Sequence, residues 1–205
     1  MKERFRTFKQ LSAKQKLQYI WDYYKIHIIV TVVLICAIFS IIKTVKHAGS
    51  VDLYVAYVNV AVDDKVTDAL LGSSGLIISS YKDLLITEDP SSENLEYAYA
   101  SSMKLTSALS ADRLDVIIGD SYAMSYANGA EYLVDIEDFV EANNPQLLDK
   151  LKPLFLLDDN GKAYAIDVSA LGPFADAGYS EPIYLGFIAT DSHISSKLTL
   201  LSTLL

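Results

Sequence analysis

An uninterrupted apolar run is the feature that most limits what this chain can form. The residues from Ile28 to Ile42 read IIVTVVLICAIFSII and contain no charged side chain. At about 1.5 Å per residue, a helix over residues 26–45 would span roughly 30 Å, which is the thickness of the hydrocarbon core of a bilayer. The sequence therefore predicts a transmembrane helix over residues 26–45.

The charges on either side of this run predict its orientation. Residues 1–25 carry seven basic and two acidic side chains, whereas residues 51–205 carry eight basic and twenty-four acidic ones. Basic residues close to a span stay on the cytoplasmic side of the membrane. We therefore expect a single-pass protein of the cell membrane with a cytoplasmic N-terminus and an extracytoplasmic C-terminal domain. A cleaved signal peptide is the alternative, because it also places an apolar run after a basic start.

The rest of the chain divides into an arm, a linker and one domain. Apolar residues recur at helical spacing in residues 1–25, which predicts a basic amphipathic helix on the cytoplasmic side. Residues 46–50 form a short linker, and residues 51–205 are long enough for one domain with its own core. Because the single cysteine, Cys36, lies in the apolar run, this domain must be stabilised by packing rather than by a disulfide.

The pattern of the domain predicts an α/β fold with a mainly parallel sheet, because strands alternate with helices. Apolar and β-branched segments predict strands at 51–60, 76–78, 84–87, 114–118, 132–136, 154–157, 163–168 and 183–189. Helical spacing predicts helices at 63–71, 94–109, 121–127, 137–143, 145–150 and 192–204. Asn160-Gly161 predicts a type I′ hairpin turn, and Asp191 or Ser192 is expected to cap the last helix.

Three segments resemble the extracellular solute-binding proteins, which have the type II periplasmic-binding-protein-like fold. They are DRLDVIIGDSYAMSYANGAEYLVDIEDF, LDDNGKAYAIDV and YLGFIATDSHISSKLTLLSTLL, and together they cover about half of the domain. Val168 stands where that family has a proline region, and only about 15 residues separate it from Ile183, where the family holds a second lobe. The resemblance thus implies a truncated domain of one lobe, acting as a recognition or accessory module without catalysis.

The expected ligand-binding residues are those that follow the carboxyl ends of predicted strands. In open α/β sheets the ligand crevice lies beyond the carboxyl ends of the strands. This rule places Asn59, Asp120, Ser121 and Tyr122 at the mouth of the crevice. A small-molecule ligand, or a neighbouring membrane or envelope protein, is the expected partner besides the lipid bilayer at residues 26–45.

An enzymatic alternative starts from Gly119-Asp120-Ser121-Tyr122, which is similar to the first block of the GDSL esterases and lipases. That resemblance implies Ser121 as a nucleophile, with His193 as its base and Asp191 as the orienting carboxylate. The family ends in Asp-x-x-His, whereas this chain has Asp191-Ser192-His193. A membrane-tethered esterase using Ser121 and His193 is therefore one alternative, and a structural envelope component is another.

The sequence argues against nucleic-acid binding, a zinc site and a calcium-binding loop. A domain near −16 would repel nucleic acid, so no nucleic-acid partner is expected. A zinc site needs more histidine and cysteine ligands than the domain has, and Ser169 stands where a calcium loop beginning at Asp158 needs a glutamate. We expect neither a metal nor a cofactor.

Overall fold

The computed structural model describes residues 21, 25–27, 29–36, 38–39, 51–87, 89 and 93–205. The chain divides into two compact units, Met1–Ser50 and Val51–Leu205. In the first unit the described residues are helical and their side chains are exposed. The arm predicted over residues 1–25 and the linker predicted over residues 46–50 lie outside the described residues, apart from Trp21 and Lys25.

The predicted membrane anchor is contradicted. No helix among the described residues is both long enough and apolar enough to cross a membrane. The transmembrane helix predicted over residues 26–45 is therefore not supported, and neither are the single-pass topology and the localisation in the cell membrane that depend on it.

The second unit is an α/β domain with six strands. The strands are β1 (Leu53–Val58), β2 (Ile78–Leu84), β3 (Val116–Gly119), β4 (Phe155–Leu157), β5 (Ala163–Asp167) and β6 (Tyr184–Phe187). The helices are α1 (Asp64–Ser74), α2 (Leu95–Ser110), α3 (Ser121–Gly129), α4 (Ile136–Asn143), α5 (Leu148–Leu151), α6 (Gly172–Ala175) and α7 (Ile194–Leu204). Short 3₁₀ turns at Pro145–Leu147 and Lys152–Leu154 flank α5.

The sheet is mixed, so the prediction of a mainly parallel sheet is wrong. Its strand order is β2-β1-β3-β6-β5-β4, in which β1 pairs in parallel with β2 and β3, and the other three pairings are antiparallel. Antiparallel neighbours can be joined by a tight turn, whereas parallel ones need a crossover. Only Asp158–Lys162 joins β4 to β5, and the connection from β5 to β6 contains no helix longer than the four-residue α6.

Both faces of the sheet are covered by helices, which accounts for the apolar strand sequences. Along β1, Tyr57 belongs to one core and its neighbours Ala56 and Val58 belong to the other. The first core receives apolar residues from α1, α4, α6 and α7. The second receives them from α2 and α3. A strand buried on both faces has no need of the polar alternation seen in half-exposed strands.

Four local expectations need correction. The strands predicted at 76–78 and 84–87 coincide with β2 only at its end residues, Ile78 and Leu84, because the polar residues of this edge strand interrupt the apolar pattern. Residues 132–136 contribute only an isolated bridge from Leu133 to Ile188. The β4–β5 turn is not type I′, because Gly161 has a φ of +83° while Asn160 is outside the left-handed region. The last helix begins after His193, whose side chain makes no capping hydrogen bond.

Candidate functional site

Asn59 follows β1 and fastens the end of β2 to it. Its backbone has a φ of +60°, a conformation that asparagine tolerates better than most residues. The Asn59 side chain donates through Nδ2 to the carbonyl of Ile86 at 3.0 Å and accepts from the Ile86 amide at 2.8 Å. This reciprocal pair fixes the orientation of the Asn59 amide group.

Asp120 follows β3 and meets the same amide. Both carboxylate oxygens of Asp120 lie 3.2 Å from Asn59 Nδ2, and Oδ1 also accepts from the Ala123 backbone N–H at 2.8 Å. Asp120 is therefore the N-cap of α3. Asn59 and Asp120 are 61 positions apart in the chain. Their side chains meet at the carboxyl ends of β1 and β3.

The carboxyl ends of β1 and β3 mark the topological switch point of the domain. From β1 the chain crosses to β2 on one side and then returns to β3 on the other side of β1. In sheets of this kind a crevice forms where successive connections diverge, beyond the carboxyl ends of the strands. A cavity of about 210 Å³ lies there, lined by Asn59–Ala61, Asp120 and residues 179–183. Asn59 and Asp120, two of the four expected ligand residues, belong to this lining.

The crevice is acidic. Asp120 and Glu181 line it, and none of its described lining residues is basic. An adjoining cavity of about 400 Å³ shares Ala61 and Tyr179 with it and adds Asp63, Asp176 and Lys65. Partial burial, and to a smaller extent the nearby Asp63 carboxylate, raise the pKa of the Tyr179 hydroxyl, so this group stays protonated and able to donate a hydrogen bond.

The other two expected ligand residues are placed differently. Ser121 is exposed in the first turn of α3, and Tyr122 packs against the second core. Neither belongs to the lining of the cavity beyond β1 and β3. The structure therefore brings Asn59 and Asp120 together, whereas Ser121 and Tyr122 lie beside the crevice without forming its wall.

The residues of the esterase alternative are far apart. His193 contacts Asp115, which directly precedes β3, whereas Ser121 follows the other end of that strand. At about 3.3 Å per residue, the four residues of β3 that lie between Asp115 and Asp120 extend over roughly 13 Å. The carboxylate that orients His193 is Asp115 rather than the expected Asp191. Ser121 and His193 therefore form no catalytic pair.

Buried charged side chains that were not predicted from the sequence lie at the opposite end of the strands, near the amino ends of β1 and β3. Asp115 accepts from the Tyr54 backbone N–H at 2.8 Å and lies 3.0 Å from His193 Nδ1. Lys197 is fully buried, and its ammonium donates to the carbonyls of Ile188 and Thr190 at 3.1 and 3.0 Å. Burial lowers the pKa of Lys197, while Asp115 and other nearby carboxylates oppose that shift. This cluster ties α7 to the ends of β1, β3 and β6.

One sequence signal pointed to this cluster. Lys197 falls on the same helical face as Leu200, Leu201 and Leu204, where a lysine is out of place unless its ammonium finds acceptors. The acceptors are two backbone carbonyls next to β6, and a sequence pattern cannot identify them. Within the described part of the chain, no group of three or more histidine, cysteine, aspartate or glutamate side chains could hold a metal ion.

Comparisons with known proteins give no family assignment. No family model matches the chain, and neither a curated protein nor a solved structure is detectably similar to it.

Proposed function

We propose that residues 51–205 form a recognition module without catalytic activity, which binds a basic side chain of a partner protein in the crevice beyond β1 and β3. The observation that carries this proposal is the Asn59–Asp120 contact at the topological switch point, beside a cavity with acidic walls. The resemblance to solute-binding proteins remains a sequence-based prediction, and the proposal does not depend on it.

The size of the cavity favours one side chain over an entire solute. Small-molecule sites usually enclose about 300–1,000 Å³, whereas this cavity measures about 210 Å³. A lysine or arginine side chain can enter such a space while the rest of its protein stays outside. The crevice therefore suits an exposed residue of a partner better than a free metabolite.

The charge of the site favours a basic group. Asp120 and Glu181 line the cavity, and the Asn59 amide already donates to Asp120. A carboxylate has several acceptor positions, and an entering ammonium or guanidinium group can use those that remain. With eight basic and twenty-four acidic side chains over residues 51–205, the domain would also attract a basic partner at long range.

The experiment compares three tripeptides that differ only in the central residue: acetyl-Gly-Lys-Gly-amide, acetyl-Gly-Arg-Gly-amide and acetyl-Gly-norleucine-Gly-amide. Each is titrated into the isotope-labelled 205-residue chain, and the backbone amide resonances of Val60, Ser121 and Glu181 are followed by NMR. We expect saturable shifts with the lysine and arginine peptides and none with norleucine, which matches the lysine stem without its charge.

Variants locate the interaction. Glu181→Gln should weaken binding of the lysine peptide severalfold, whereas Glu141→Gln, an exposed acid on α4 outside the cavity, should leave it unchanged. Equal shifts with norleucine, or equal effects of both variants, would count against the proposal. Covalent labelling of Ser121 by a fluorophosphonate would contradict the non-catalytic part of it.

A further inference from the structure

A second cavity, separate from the acidic crevice, lies on the face of the sheet that α2 and α3 cover. Its volume is about 550 Å³, within the range of small-molecule sites. Its wall contains Ile86 and Thr87 after β2, Leu95, Glu96 and Tyr99 on α2, and Tyr126 on α3. We propose that this cavity binds a small organic cation bearing alkyl groups on its nitrogen, such as a quaternary ammonium ion.

The exposure of its apolar wall indicates a ligand surface. Tyr99 is 69% exposed, Leu95 46% and Tyr126 38%, although all three carry large apolar groups. Leu95 and Tyr99 are four residues apart and therefore occupy the same face of α2. Single exposed apolar residues are ordinary, but a cluster of them lining a concave surface is typical of a binding site.

The chemistry of the wall selects a cation over a neutral apolar ligand. The faces of tyrosine rings carry negative partial charge and attract ammonium groups. Glu96 belongs to the same wall, which contains no lysine or arginine among its described residues. Within the described part of the chain, no hydrogen bond or ion pair engages the Glu96 carboxylate, so its charge remains available to a ligand.

The same wall is unsuited to an inorganic cation or to an anionic ligand. Magnesium and calcium require six or more oxygen ligands, and one carboxylate beside two rings does not provide them. A phosphate group attached to the cation would bring negative charge towards Glu96. These restrictions favour a free alkylammonium ion over the phosphocholine group of a lipid.

The test uses choline, its uncharged isostere 3,3-dimethyl-1-butanol, and phosphocholine. Each is titrated into the isotope-labelled 205-residue chain while the amide resonances of Glu96, Tyr99 and Tyr126 are recorded. Choline should bind about two- to fivefold more tightly than the isostere, as expected for a cation–ring contact at an exposed site. Equal affinity for the isostere, or no binding of choline, would overturn the proposal. Tighter binding of phosphocholine than of choline would overturn the assignment to a free cation.

Variants separate the ring and carboxylate contributions. Tyr99→Phe keeps the ring and should retain choline binding, whereas Tyr99→Leu should abolish it. Glu96→Gln should weaken binding severalfold, and Glu93→Gln, an exposed acid that does not line the cavity, is its matched control. Loss of binding in Tyr99→Phe, or equal losses in Glu96→Gln and Glu93→Gln, would contradict the proposed contacts. Because none of these residues belongs to the acidic crevice, failure here leaves the tripeptide experiment unaffected.

Discussion

His193 Nδ1 lies 3.0 Å from both carboxylate oxygens of Asp115, although the two residues are 78 positions apart in the chain. Only 2% of the Asp115 side chain is exposed, compared with 32% of the His193 side chain. Asp115 is further held by the Tyr54 backbone N–H. A buried carboxylate with these two partners connects the start of α7 to β1 and β3.

Loss of this contact should destabilise the domain through Asp115 more than through His193. We expect Asp115→Ala to lower the free energy of unfolding by about 3 kcal/mol, because it removes one member of a buried pair. His193→Ala should cost about 1–2 kcal/mol, since water can reach the carboxylate through the vacated space. Urea unfolding followed by circular dichroism measures both values.

The double variant Asp115→Ala/His193→Ala tests the coupling between the two residues. Its cost should be smaller than the sum of the single costs, because the second substitution removes a partner that is already unpaired. Strictly additive costs would contradict a direct interaction. Asp138→Ala, at an exposed position in the first turn of α4, serves as a control for the loss of a surface acid.

Lys197 should make stability depend on pH in the alkaline range. Burial places its pKa in the folded protein below the ordinary value of 10.5, so the unfolded chain binds more protons between these two pKa values. Stability therefore rises with pH across that window, and below it the full cost of burying the ammonium is present. Lys197→Met lacks this titration.

The measurement is the difference in unfolding free energy between the parent and Lys197→Met, determined at several pH values from neutrality up to about 10.5. This difference should move in favour of the parent as pH rises, because all other titrating groups are common to both proteins. A difference that stays constant with pH would show that Lys197 titrates alike in the folded and unfolded chains. Thr199→Val, on the same helix, controls for the loss of a polar side chain.

Local sequence signals predicted the parts of the fold that depend on neighbouring residues. The helices predicted at 94–109 and 121–127 agree with α2 and α3, because helical periodicity is a local property. The switch-point rule also brought Asn59 and Asp120 to one edge correctly. Ser121 and Tyr122 lie outside the lining of the cavity, because a position after a strand does not determine which way a helical side chain points.

The direction of a strand and the pairing of buried charges depend on distant residues. Nothing near Tyr184–Phe187 indicates that β6 runs antiparallel to β3, since the same apolar residues suit either direction. The anchor predicted from the apolar run at residues 28–42 is contradicted, since no helix among the described residues is long and apolar enough to cross a membrane. The Asp115–His193 contact was missed because Asp191 is nearer to His193 in the chain but Asp115 is its partner in space.

The buried hydroxyl of Tyr57 should be dispensable for stability. Tyr57 is fully buried, and its hydroxyl has no hydrogen-bond partner among the described residues. An unpaired buried hydroxyl loses its hydrogen bonds to water on folding without compensation. Tyr57→Phe should therefore raise the free energy of unfolding by about 1 kcal/mol. A loss of stability in thermal or urea unfolding would show that the hydroxyl has a partner.

Gly119 should tolerate no side chain, because the ends of β1 and β3 approach too closely there. A Cβ atom at Gly119 would lie 2.6 Å from the Val58 carbonyl oxygen and 3.0 Å from Ala123 Cβ. Since the nearest atom belongs to the backbone of a central strand, a side-chain rotation does not relieve the clash. We expect Gly119→Ala to lower the free energy of unfolding by at least about 2 kcal/mol.

The matched control is Gly129→Ala at the end of α3, where a Cβ atom would meet nothing within 4 Å. That substitution should be neutral or stabilising by up to about 1 kcal/mol, because alanine loses less backbone entropy than glycine in a helix. Similar effects of the two substitutions on urea unfolding would contradict the close approach of β1 and β3. In Gly119→Ala the amide resonances of Asn59 and Asp120 should also shift, because the displaced strands would separate the two residues that form the crevice.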